Sequence, residues 1–483
     1  MTTQETATPS HTRLLINGQP VPGQGEAYEH RNPYTDEPLA LVTQASPGQM
    51  EEAIEAAGAA FQAYRKLPAY QRAELLLQVC RGIEARSAEL ARTIAREIAK
   101  PLKTARGEVA RAISTFRQAA EEAGHLRGEV LPMDAVPVGQ GWRGFSIRQP
   151  IGVVAAITPF NFPLNLAAHK IAPALAVGNT VVWKPAPQGP LTALLLGEIL
   201  SEAGIPPGVV NILPAPPNVS ELLVTHPQVA MVSFTGSVAV GQRIRQQAGG
   251  KRLILELGSN SGNLISAAAN LEHAAAACAA GGFAYAGQVC ISVQRIYVQQ
   301  PAWDRFVALL LEKVRALKLG DPLDPTTDIG PLIDEPSARR SEAWIQEAIQ
   351  GGARLLLGGK RQGKFLEPTV LTDVRPEMRV VCEEVFAPLV VLVPFEEWRQ
   401  AIALTNQSRF GINAGVFTRD IQEAFQAIEE LEVGSVIING SSTFRADHMP
   451  YGGIKESGLG REGIRYTMEA MTEIKFAAFA PEP

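Results

Sequence analysis

Cysteine is scarce in this sequence: 483 residues contain four, Cys80, Cys278, Cys290 and Cys382. None of them forms a Cys-x-x-Cys pair, and no group of cysteines and histidines has the spacing of a zinc site. This pattern argues against a disulfide framework and predicts no bound metal. Free thiols persist in a reducing compartment, so we expect a cytoplasmic protein.

Long apolar runs and clusters of positive charge are also missing. No stretch reaches the roughly 18 uninterrupted apolar residues of a membrane-spanning helix. Residues 1–13 are polar, lack the apolar core of a signal peptide, and are expected to form a short disordered tail. The formal net charge is −5 and no Lys/Arg run occurs, so neither nucleic acid nor a membrane is an expected partner.

The composition is that of an ordinary globular protein, with 46% hydrophobic and 19% charged residues. The length suggests two or three domains. Residues 47–127 are rich in Ala, Glu, Arg and Leu at helical spacing and predict a helical region. Residues 128–149 show an alternating pattern that Pro and Gly residues interrupt, and this pattern predicts a projecting β-hairpin.

From Ile151 onwards, short β-branched segments alternate with helical segments. This alternation predicts a parallel sheet with helices on both faces, followed after Gly258 by a second α/β unit of roughly 200 residues. The predicted strands are 153–158, 180–184, 209–213, 230–235, 252–257, 295–299, 390–395, 435–439 and a terminal strand at 473–480. The predicted helices are 164–177, 191–203, 221–225, 238–248, 271–280, 302–317 and 337–350.

The four cysteines differ in their local sequence. Cys80 and Cys278 lie in helical apolar patterns and are expected to be buried and inert. Two glutamates follow Cys382, and their charge opposes formation of a thiolate. Cys290 follows a helix in the glycine-rich segment GGFAYAGQVCIS, where backbone can approach a ligand closely. The local sequence alone leaves a catalytic thiol and an inert thiol both open at Cys290.

Two polar residues follow predicted strands, at the edge where open α/β sheets bind ligands. Glu256 ends the strand at 252–257 and is a candidate general base that activates water. A strand-end salt bridge with Arg252 or Lys251 is the alternative. Asn161, between two prolines in ITPFNFP, is a candidate oxyanion donor, and an Asx-turn cap is the alternative.

A third feature suits a phosphate group. The segment SFTGSVAVG, residues 233–241, passes from a strand through Gly236 into a helix that begins near Ser237. A helix N-terminus in this position binds phosphate readily. Lys184 ends the strand at 180–184. There it would either reach a cofactor hydroxyl or phosphate, or remain a solvated charge.

Together these motifs resemble the aldehyde dehydrogenase superfamily across nearly the whole chain. The resemblance is strongest to the branch that oxidises lactaldehyde, phosphonoacetaldehyde, succinate semialdehyde or, without phosphorylation, glyceraldehyde 3-phosphate. The matching segments occur in the family's order: PFNFP (159–163), GNTVVWKP (178–185), FTGS (234–237), LELGSNSGN (255–263), GQVC (287–290), EEVFAPL (383–389) and PYGGIKESGLGREG (450–463).

The resemblance implies an α/β fold of three parts. These are a Rossmann-like cofactor domain (1–127 and 150–256), an α/β catalytic domain (257–449) and a small β-flap for oligomerisation (128–149 and 466–483). It also implies a homodimer or homotetramer. In relatives, the residues that match Arg252 and Glu473 pair across the oligomer interface.

The resemblance further implies NAD(P)-dependent oxidation of an aldehyde to a carboxylic acid. Cys290 would attack the aldehyde carbon to form a thiohemiacetal, whose oxyanion the Asn161 side chain and the Cys290 backbone N–H would hold. Hydride transfer would leave a thioester, which water activated by Glu256 would hydrolyse. Lys170 and Glu462 match positions linked to proton relay and to support of the active site.

The cofactor, NAD or NADP, would bind to residues of the matched motifs. Lys184 would contact the adenine-side ribose, Gly236 and Ser237 the pyrophosphate, and Glu384 the nicotinamide ribose, while Phe386 would pack near the ring. The other implied cofactor residues are Thr158, Pro159, Phe160, Pro187, Phe234 and Leu257.

Two positions depart from the common family pattern. Pro187 stands where NAD-preferring relatives often carry a glutamate that grips both ribose hydroxyls, so a 2′-phosphate is not repelled here. The common LELGGK is LELGSN in this chain, which places Ser259 and Asn260 in the turn after the candidate base.

The segment NGSSTFRADHMPYGG, residues 439–453, resembles the branch that handles small polar or acidic aldehydes. Arg445 would pair with a substrate carboxylate or phosphate, and a salt bridge with Asp447 is equally open. His169 occupies a position that is often Trp in relatives for bulky aldehydes. The further substrate-pocket candidates are Asn161, Phe162, His448 and Tyr451.

Two other classes of protein stay in view. A thiol hydrolase or acyltransferase would use Cys290 without redox chemistry, but it needs a histidine base, and no Cys–His motif is recognisable. A non-catalytic relative is disfavoured because Cys290, Glu256 and Asn161 are all present. Within the dehydrogenases, a CoA-acylating enzyme would dispense with Glu256, so its presence favours the free acid as product.

Overall fold

The computed structural model describes residues 11–481. Residues 1–10 of the predicted tail lie outside this range, and the first strand already begins at Arg13. The helices, in chain order, are α1 (Pro47–Tyr64), α2 (Ala69–Ala85), α3 (Ser87–Ile98), α4 (Leu102–Glu122), α5 (Asn165–Val177), α6 (Pro190–Glu202), α7 (Pro217–Thr225), α8 (Val238–Gln247), α9 (Leu271–Phe283), α10 (Trp303–Arg315), α11 (Glu335–Gln350), α12 (Arg379–Cys382), α13 (Trp398–Asn406), α14 (Ile421–Glu430) and α15 (Ile464–Ala470).

The strands are likewise numbered along the chain. They are β1 (Arg13–Ile16), β2 (Gln19–Pro22), β3 (Ala27–Arg31), β4 (Pro38–Thr43), β5 (Val130–Leu131), β6 (Arg143–Pro150), β7 (Val153–Ile157), β8 (Thr180–Lys184), β9 (Val210–Ile212), β10 (Val229–Thr235), β11 (Arg252–Glu256), β12 (Gly262–Ile265), β13 (Arg295–Gln299), β14 (Arg354–Leu357), β15 (Arg361–Gln362), β16 (Phe365–Leu366), β17 (Thr369–Thr372), β18 (Leu389–Phe395), β19 (Phe410–Gly411), β20 (Asn413–Phe417), β21 (Ser435–Ile438), β22 (Ile454–Lys455), β23 (Gly458–Leu459) and β24 (Thr472–Phe479).

The first large sheet has eight strands in the order β2-β1-β9-β8-β7-β10-β11-β23. Its five central strands, from β9 to β11, are parallel. Strand β7 is buried along its whole length because helices cover both faces. Val154 and Ala156 pack with helices α2 to α6, whereas Val153 and Ala155 pack with α1, α7 and α8. The predicted parallel sheet with helices on both faces is confirmed.

The second large sheet has seven strands in the order β14-β17-β18-β13-β12-β20-β21. All of them are parallel except the edge strand β14. Helices α9, α10 and α11 pack on one face, against Ile296 and Val298 of β13. Helices α13 and α14 pack on the other face, where Tyr297 of the same strand is buried. The expected second α/β unit is therefore present.

A third sheet joins the predicted hairpin to the end of the chain. Its order is β24-β6-β5, and β24 pairs with β6 along eight residues of each strand. The hairpin pairing between β5 and β6 is short, because two turns of 3₁₀ helix stand between them. Both the hairpin and the terminal strand are confirmed, while the oligomerisation role and the domain boundaries stay predictions.

One expected contact across subunits forms within the chain instead. The Arg252 guanidinium donates to Glu473 and to the carbonyls of Ala470 and Thr472 of the same chain. Strand β24 returns beside β11, so this pair is satisfied without a second copy. A pairing of these two residues across an oligomer interface stays a prediction.

The predicted helices agree with the structure to within a few residues. The largest difference is α7, which begins at Pro217 rather than at residue 221, because proline is well accommodated in a first helical turn. Helix α9 extends three residues beyond its predicted end, to Phe283. Within residues 11–481, no helix combines the length and the apolar character needed to cross a bilayer.

Candidate active site

The sequence-predicted site residues meet at the carboxyl edge of the first sheet. Lys184 ends β8 and Glu256 ends β11, while Asn161 and Gly236 follow β7 and β10. Since neighbouring parallel strands end at the same edge, these residues line one crevice. Cys290 reaches the crevice from the turn between α9 and β13.

A left-handed turn delivers Cys290. Tyr285, Ala286 and Gly287 all have positive φ, at 48°, 53° and 71°. A Cβ at Gly287 would lie 2.1 Å from the Ala387 carbonyl oxygen, so only glycine fits there. Left-handed backbone costs a non-glycine residue about 1–2 kcal/mol, so the surrounding packing must hold the turn.

The Cys290 thiol is half-buried, and its Sγ lies 3.1 Å from the Tyr451 hydroxyl. Burial raises the pKa of Cys290 to about 11, although the Tyr451 hydrogen bond and the Arg445 cation oppose this shift. The pKa of Cys278 is raised by burial without such opposition, and that thiol is fully buried, as predicted. Cys290 is thus a thiol with built-in partners for its ionised form.

Glu256 is a buried carboxylate, with 2% of its surface exposed. Neither of its oxygens has a hydrogen-bond partner among residues 11–481. The alternative salt bridge does not form, because Arg252 binds elsewhere and Lys251 donates to the Thr225 carbonyl. Burial, reinforced by the nearby Glu462 charge, raises the pKa of Glu256 well above its ordinary value. A carboxylate with a raised pKa is a stronger base and is suited to take a proton.

Asn161 is buried, and its Nδ2 donates to the Gln288 carbonyl at 2.9 Å. That contact ties the first sheet to the turn before Cys290. The Asn161 Oδ1 has no hydrogen-bond partner among residues 11–481, so the side chain does not cap an Asx turn. The second N–H of the amide is available for an oxyanion. The backbone carbonyl of Asn161 accepts a hydrogen bond from Lys100 Nζ at 2.8 Å.

Lys170, Glu462 and Arg445 form a buried ion cluster beside Glu256. Lys170 Nζ lies 2.8 Å from Glu462 Oε1, and Arg445 Nη2 lies 3.0 Å from Glu462 Oε2. Burial alone would raise the pKa of Glu462, but the two cations outweigh it and hold this pKa at about 2. The salt bridge between Arg445 and Asp447 that the sequence left open is not formed.

Asp447 belongs to a second cluster. It accepts from Arg111 Nη2 at 2.6 Å and lies 2.9 Å from His169 Nε2. Burial opposes ionisation of Asp447, yet these hydrogen bonds keep its pKa well below the ordinary value. Burial, reinforced by the Arg445 cation, lowers the pKa of His169 to about 4. His169 is therefore a neutral, buried residue that is bound to Asp447 and forms no hydrogen bond to Cys290.

The predicted cofactor residues surround a cleft of about 490 Å³ on the first sheet. Lys184 has no ion-pair partner within residues 11–481, and burial lowers its pKa to about 8. Arg243, which the sequence reasoning missed, also lines the cleft and pairs with Glu221. The predicted residues that line the cleft are Thr158, Pro159, Phe160, Lys184, Pro187, Phe234, Gly236 and Ser237.

Three further predicted cofactor residues, Glu384, Phe386 and Leu257, lie outside the lining of this cleft. Glu384 accepts from the Ser259 backbone N–H at 3.0 Å, and burial raises its pKa to about 7. The Phe386 ring, on a backbone with φ 53°, meets the Phe160 ring edge-on at 6.1 Å. Leu257 is buried in the core that carries α8. The LELGSN turn thus supplies a backbone donor to Glu384.

Two substrate-pocket candidates differ in their surroundings. The Phe162 ring lies under Lys100 Nζ, 3.4 Å from its centroid. His448 is exposed, and nothing within residues 11–481 forms a hydrogen bond to its ring. The geometry brings Tyr451 directly to Cys290, whereas the role of His448 stays a prediction.

The buried pair of Lys100 and Glu108 was missed by the sequence reasoning. Lys100 Nζ lies 2.5 Å from Glu108 Oε2, and neither side chain is exposed. Glu108 Oε1 accepts from the backbone N–H groups of Leu164 and Asn165 at the start of α5. The pair therefore fixes the middle of the loop that carries Asn161 and the end of that loop at the start of α5. A Lys-Pro dipeptide before a helix was the only sequence signal.

Comparison with known proteins agrees with this geometry. The pattern of the aldehyde dehydrogenase family matches residues 21–477. The 3-sulfolactaldehyde dehydrogenase of Priestia aryabhattai is 43% identical over 461 residues, which cover 95% of this chain and 96% of that protein.

Two solved structures share the fold and a similar level of identity. The NADP-dependent glyceraldehyde-3-phosphate dehydrogenase from Bacillus halodurans C-125, complexed with NADP, superposes with a TM-score of 0.95 at 38% identity, covering 98% of this chain and 100% of that one. Aldehyde dehydrogenase 21 from Physcomitrella patens, in complex with the reaction product succinate, gives a TM-score of 0.96 at 39% identity, covering 98% and 99%.

Proposed function

The chain belongs to the aldehyde dehydrogenase family, and we propose that it oxidises a small polar or anionic aldehyde to the carboxylic acid through Cys290. The family uses NAD or NADP. The observation that carries this proposal is that two adjacent residues, Tyr451 and Gly452, contact the candidate nucleophile and the candidate base. Tyr451 contacts the Cys290 thiol, and Gly452 lies against Glu256, where a Cβ would stand 2.7 Å from Oε1.

Cys290 Sγ attacks the aldehyde carbon, and a carbon–sulfur bond forms while the carbonyl oxygen becomes an oxyanion. The free N–H of Asn161 Nδ2 and the Cys290 backbone N–H stabilise that oxygen, a contribution worth about 3–4 kcal/mol per donor. A bound nicotinamide supplies the acceptor for the hydride. What remains on Cys290 is a thioester.

Glu256 then removes a proton from a water molecule that attacks the thioester carbon. The carbon–sulfur bond breaks, the acid leaves, and Cys290 returns as a thiolate. Because burial raises the pKa of Glu256, the carboxylate is a stronger base than an exposed glutamate. The nearby Glu462 carboxylate raises the pKa of Glu256 further, whereas the Arg445 and Lys170 cations lower it.

The cleft fits a dinucleotide that carries an extra phosphate. Lys184 and Arg243 place two cations in it, of which Arg243 is paired with Glu221 of the cleft lining. Pro187 stands where a glutamate of NAD-preferring relatives would repel a 2′-phosphate. Helix α8 begins at Val238, just after Ser237 of the cleft lining, so the free N–H groups of its first turn lie at the cleft. Glu384 is a partly buried carboxylate with room for hydroxyl donors, as a ribose would provide. NADP is accordingly the proposed cofactor, with NAD as the second choice.

Arg445 supports an anionic substrate. Its side chain is 5% exposed, it pairs with Glu462 through Nη2 alone, and its Nε has no partner within residues 11–481. The guanidinium lies 3.7 Å from the Tyr451 ring centroid and so stands close to Cys290. A carboxylate, phosphate or sulfonate on the aldehyde would complete its hydrogen bonds.

A hydrolase that uses Cys290 without redox chemistry is disfavoured. No histidine within residues 11–481 forms a hydrogen bond to Cys290, and His169 is bound to Asp447. Such an enzyme would also leave the cleft around Lys184 without a ligand. A cytoplasmic location and a homodimer or homotetramer belong to the same proposal, supported by the free thiols and by the exposed apolar side chains of β6 and β24.

The test is a panel of small aldehydes, neutral and anionic, assayed with NAD and with NADP by the absorbance of the reduced cofactor. We expect turnover only when aldehyde and cofactor are both present, and the highest kcat/KM with an anionic aldehyde and NADP. Cys290→Ser should abolish hydride transfer. Glu256→Gln should leave one burst of reduced cofactor followed by slow turnover. Normal steady-state turnover in either variant would contradict the assigned role.

A further inference from the structure

The Tyr451 hydroxyl makes a contact that packing alone does not explain. Its ring is 1% exposed and packs in a small apolar cluster with Ile291 and Ile412. Within residues 11–481, the only hydrogen-bond partner of this hydroxyl is Cys290 Sγ, at 3.1 Å. A buried hydroxyl without a partner costs about 1–3 kcal/mol, so phenylalanine would suit the cluster better if the thiol contact had no use.

Three separate contacts fix the position of Tyr451. Its backbone N–H donates to the Glu462 carbonyl at 3.0 Å, and the Glu462 N–H donates back at 2.7 Å. The Arg445 guanidinium lies over the ring and is itself held by the Glu462 carboxylate. The hydroxyl therefore cannot turn away from Cys290 without breaking the ion cluster.

The groups that act on the thiol come from several elements. The Tyr451 hydroxyl and the Arg445 cation favour the thiolate, whereas the Glu384 and Glu256 carboxylates oppose it. Burial raises the pKa of Tyr451 well above its ordinary value, so the phenol keeps its proton at any working pH. When Cys290 ionises, Tyr451 is thus the donor and sulfur the acceptor.

We propose that Tyr451 is a further catalytic residue, whose hydroxyl donates a hydrogen bond to the Cys290 thiolate. The proposal rests on Cys290 being the nucleophile of the proposed function. No bond to the Tyr451 proton breaks. Before the attack the hydrogen bond stabilises the thiolate, and during deacylation it stabilises the same thiolate as the leaving group. In the thioester between these steps, sulfur carries no charge and accepts only weakly.

The experiment measures the pH dependence of Cys290 alkylation by iodoacetamide, followed by mass spectrometry of the peptide that contains Cys290. A hydrogen bond to an ionised group shifts its pKa by about one to two units. Tyr451→Phe should therefore raise the apparent pKa of the thiol by about one to two units. Alkylation at neutral pH should slow by about 10-fold to 100-fold.

A matched control is Tyr64→Phe. Tyr64 is also buried, and its hydroxyl donates to the Leu175 carbonyl at 3.2 Å, away from the thiol. Its alkylation profile should coincide with that of the unchanged protein. If Tyr451→Phe also coincides with the unchanged protein while its circular dichroism is native, the proposal is overturned.

If Tyr451→Phe does not fold, the full chain with 3-fluorotyrosine in place of tyrosine gives the answer. The fluorinated phenol is a stronger donor, so the apparent pKa of Cys290 should fall, and an unchanged value would overturn the proposal. Alkylation requires neither aldehyde nor cofactor. A chain that shows the predicted shift but oxidises no aldehyde would contradict the proposed function while leaving the hydrogen bond established.

Discussion

The buried pair of Lys100 and Glu108 offers the sharpest test of how the Asn161 loop is held. Lys100→Met removes a cation that contacts Glu108 Oε2 at 2.5 Å and the Asn161 carbonyl at 2.8 Å. Both side chains of the ion pair are fully buried. Removing one partner of such a pair strands the other charge and typically costs about 3–5 kcal/mol. We expect a loss of that size in the free energy of unfolding, measured by urea titration.

The second variant separates stability from positioning. Glu108→Gln, added to Lys100→Met, removes the stranded charge but keeps an oxygen for the N–H groups of Leu164 and Asn165. The double variant should recover about 2 kcal/mol or more of the lost stability. It should not recover the rate of hydride transfer, because the Asn161 carbonyl still lacks its donor. A misplaced oxyanion donor costs on the order of 10²-fold in rate.

The control is Lys103→Met. Lys103 lies in the first turn of α4, the helix that carries Glu108, and forms a surface pair with Asp328. Exposed pairs contribute about 0–1 kcal/mol, so stability and rate should both stay near those of the unchanged protein. The reasoning is refuted if Lys100→Met costs no more than this control. It is equally refuted if the double variant oxidises aldehyde at the full rate.

Three other predictions concern the binding of the cofactor and the pH dependence of stability that His169 causes. Burial raises the pKa of Glu384 to about 7, so the KM for cofactor should fall as pH rises through 7 and Glu384 ionises; Glu384→Gln should remove that dependence. Gly258→Ala should raise the same KM by about tenfold without changing Cys290 alkylation, because a Cβ would lie 2.7 Å from Glu384 Oε2. The pKa of His169 is about 4 in the folded state and 6.5 ordinarily. Between these two pH values the unfolded chain binds a proton that the folded chain does not. The free energy of unfolding should therefore fall as the pH drops from 6.5 to 4. His169→Asn should reduce this acid-induced loss by at most about 3 kcal/mol in urea titrations at the two pH values.

Short-range patterns in the sequence predicted all five parallel strands of the first sheet, but only β13, β18 and β21 of the seven strands of the second. The apolar run of β7 is buried on both faces, and its continuous hydrophobicity predicts that environment. Glu256 and Lys184 could be placed at one edge of a sheet because each ends a recognisable strand. Residues whose role follows from their own strand or turn were therefore within reach.

The ion clusters were not within reach, because their members lie far apart in the chain. Lys170 and Glu462 are 292 positions apart, and Arg111 and Asp447 are 336 apart. Arg445 shows that proximity in sequence is a poor guide to ion pairing. Asp447 is the nearest acidic residue in sequence, but the fold gives it to Arg111 and His169, while Arg445 pairs with Glu462.

The hydrogen-bond partners of the buried glutamates support Glu256 as the proposed base, independently of any resemblance. Within residues 11–481 four glutamates are fully buried: Glu97, Glu108, Glu256 and Glu462. Glu97 accepts from two backbone N–H groups at the start of α6, Glu108 is paired with a lysine, and Glu462 with a lysine and an arginine. Glu256 is the exception, with neither oxygen bonded. A buried polar group without partners costs several kcal/mol, and apolar residues of the same volume avoid that cost. The proposed role of Glu256, to take up a proton during turnover, accounts for a carboxylate in this state.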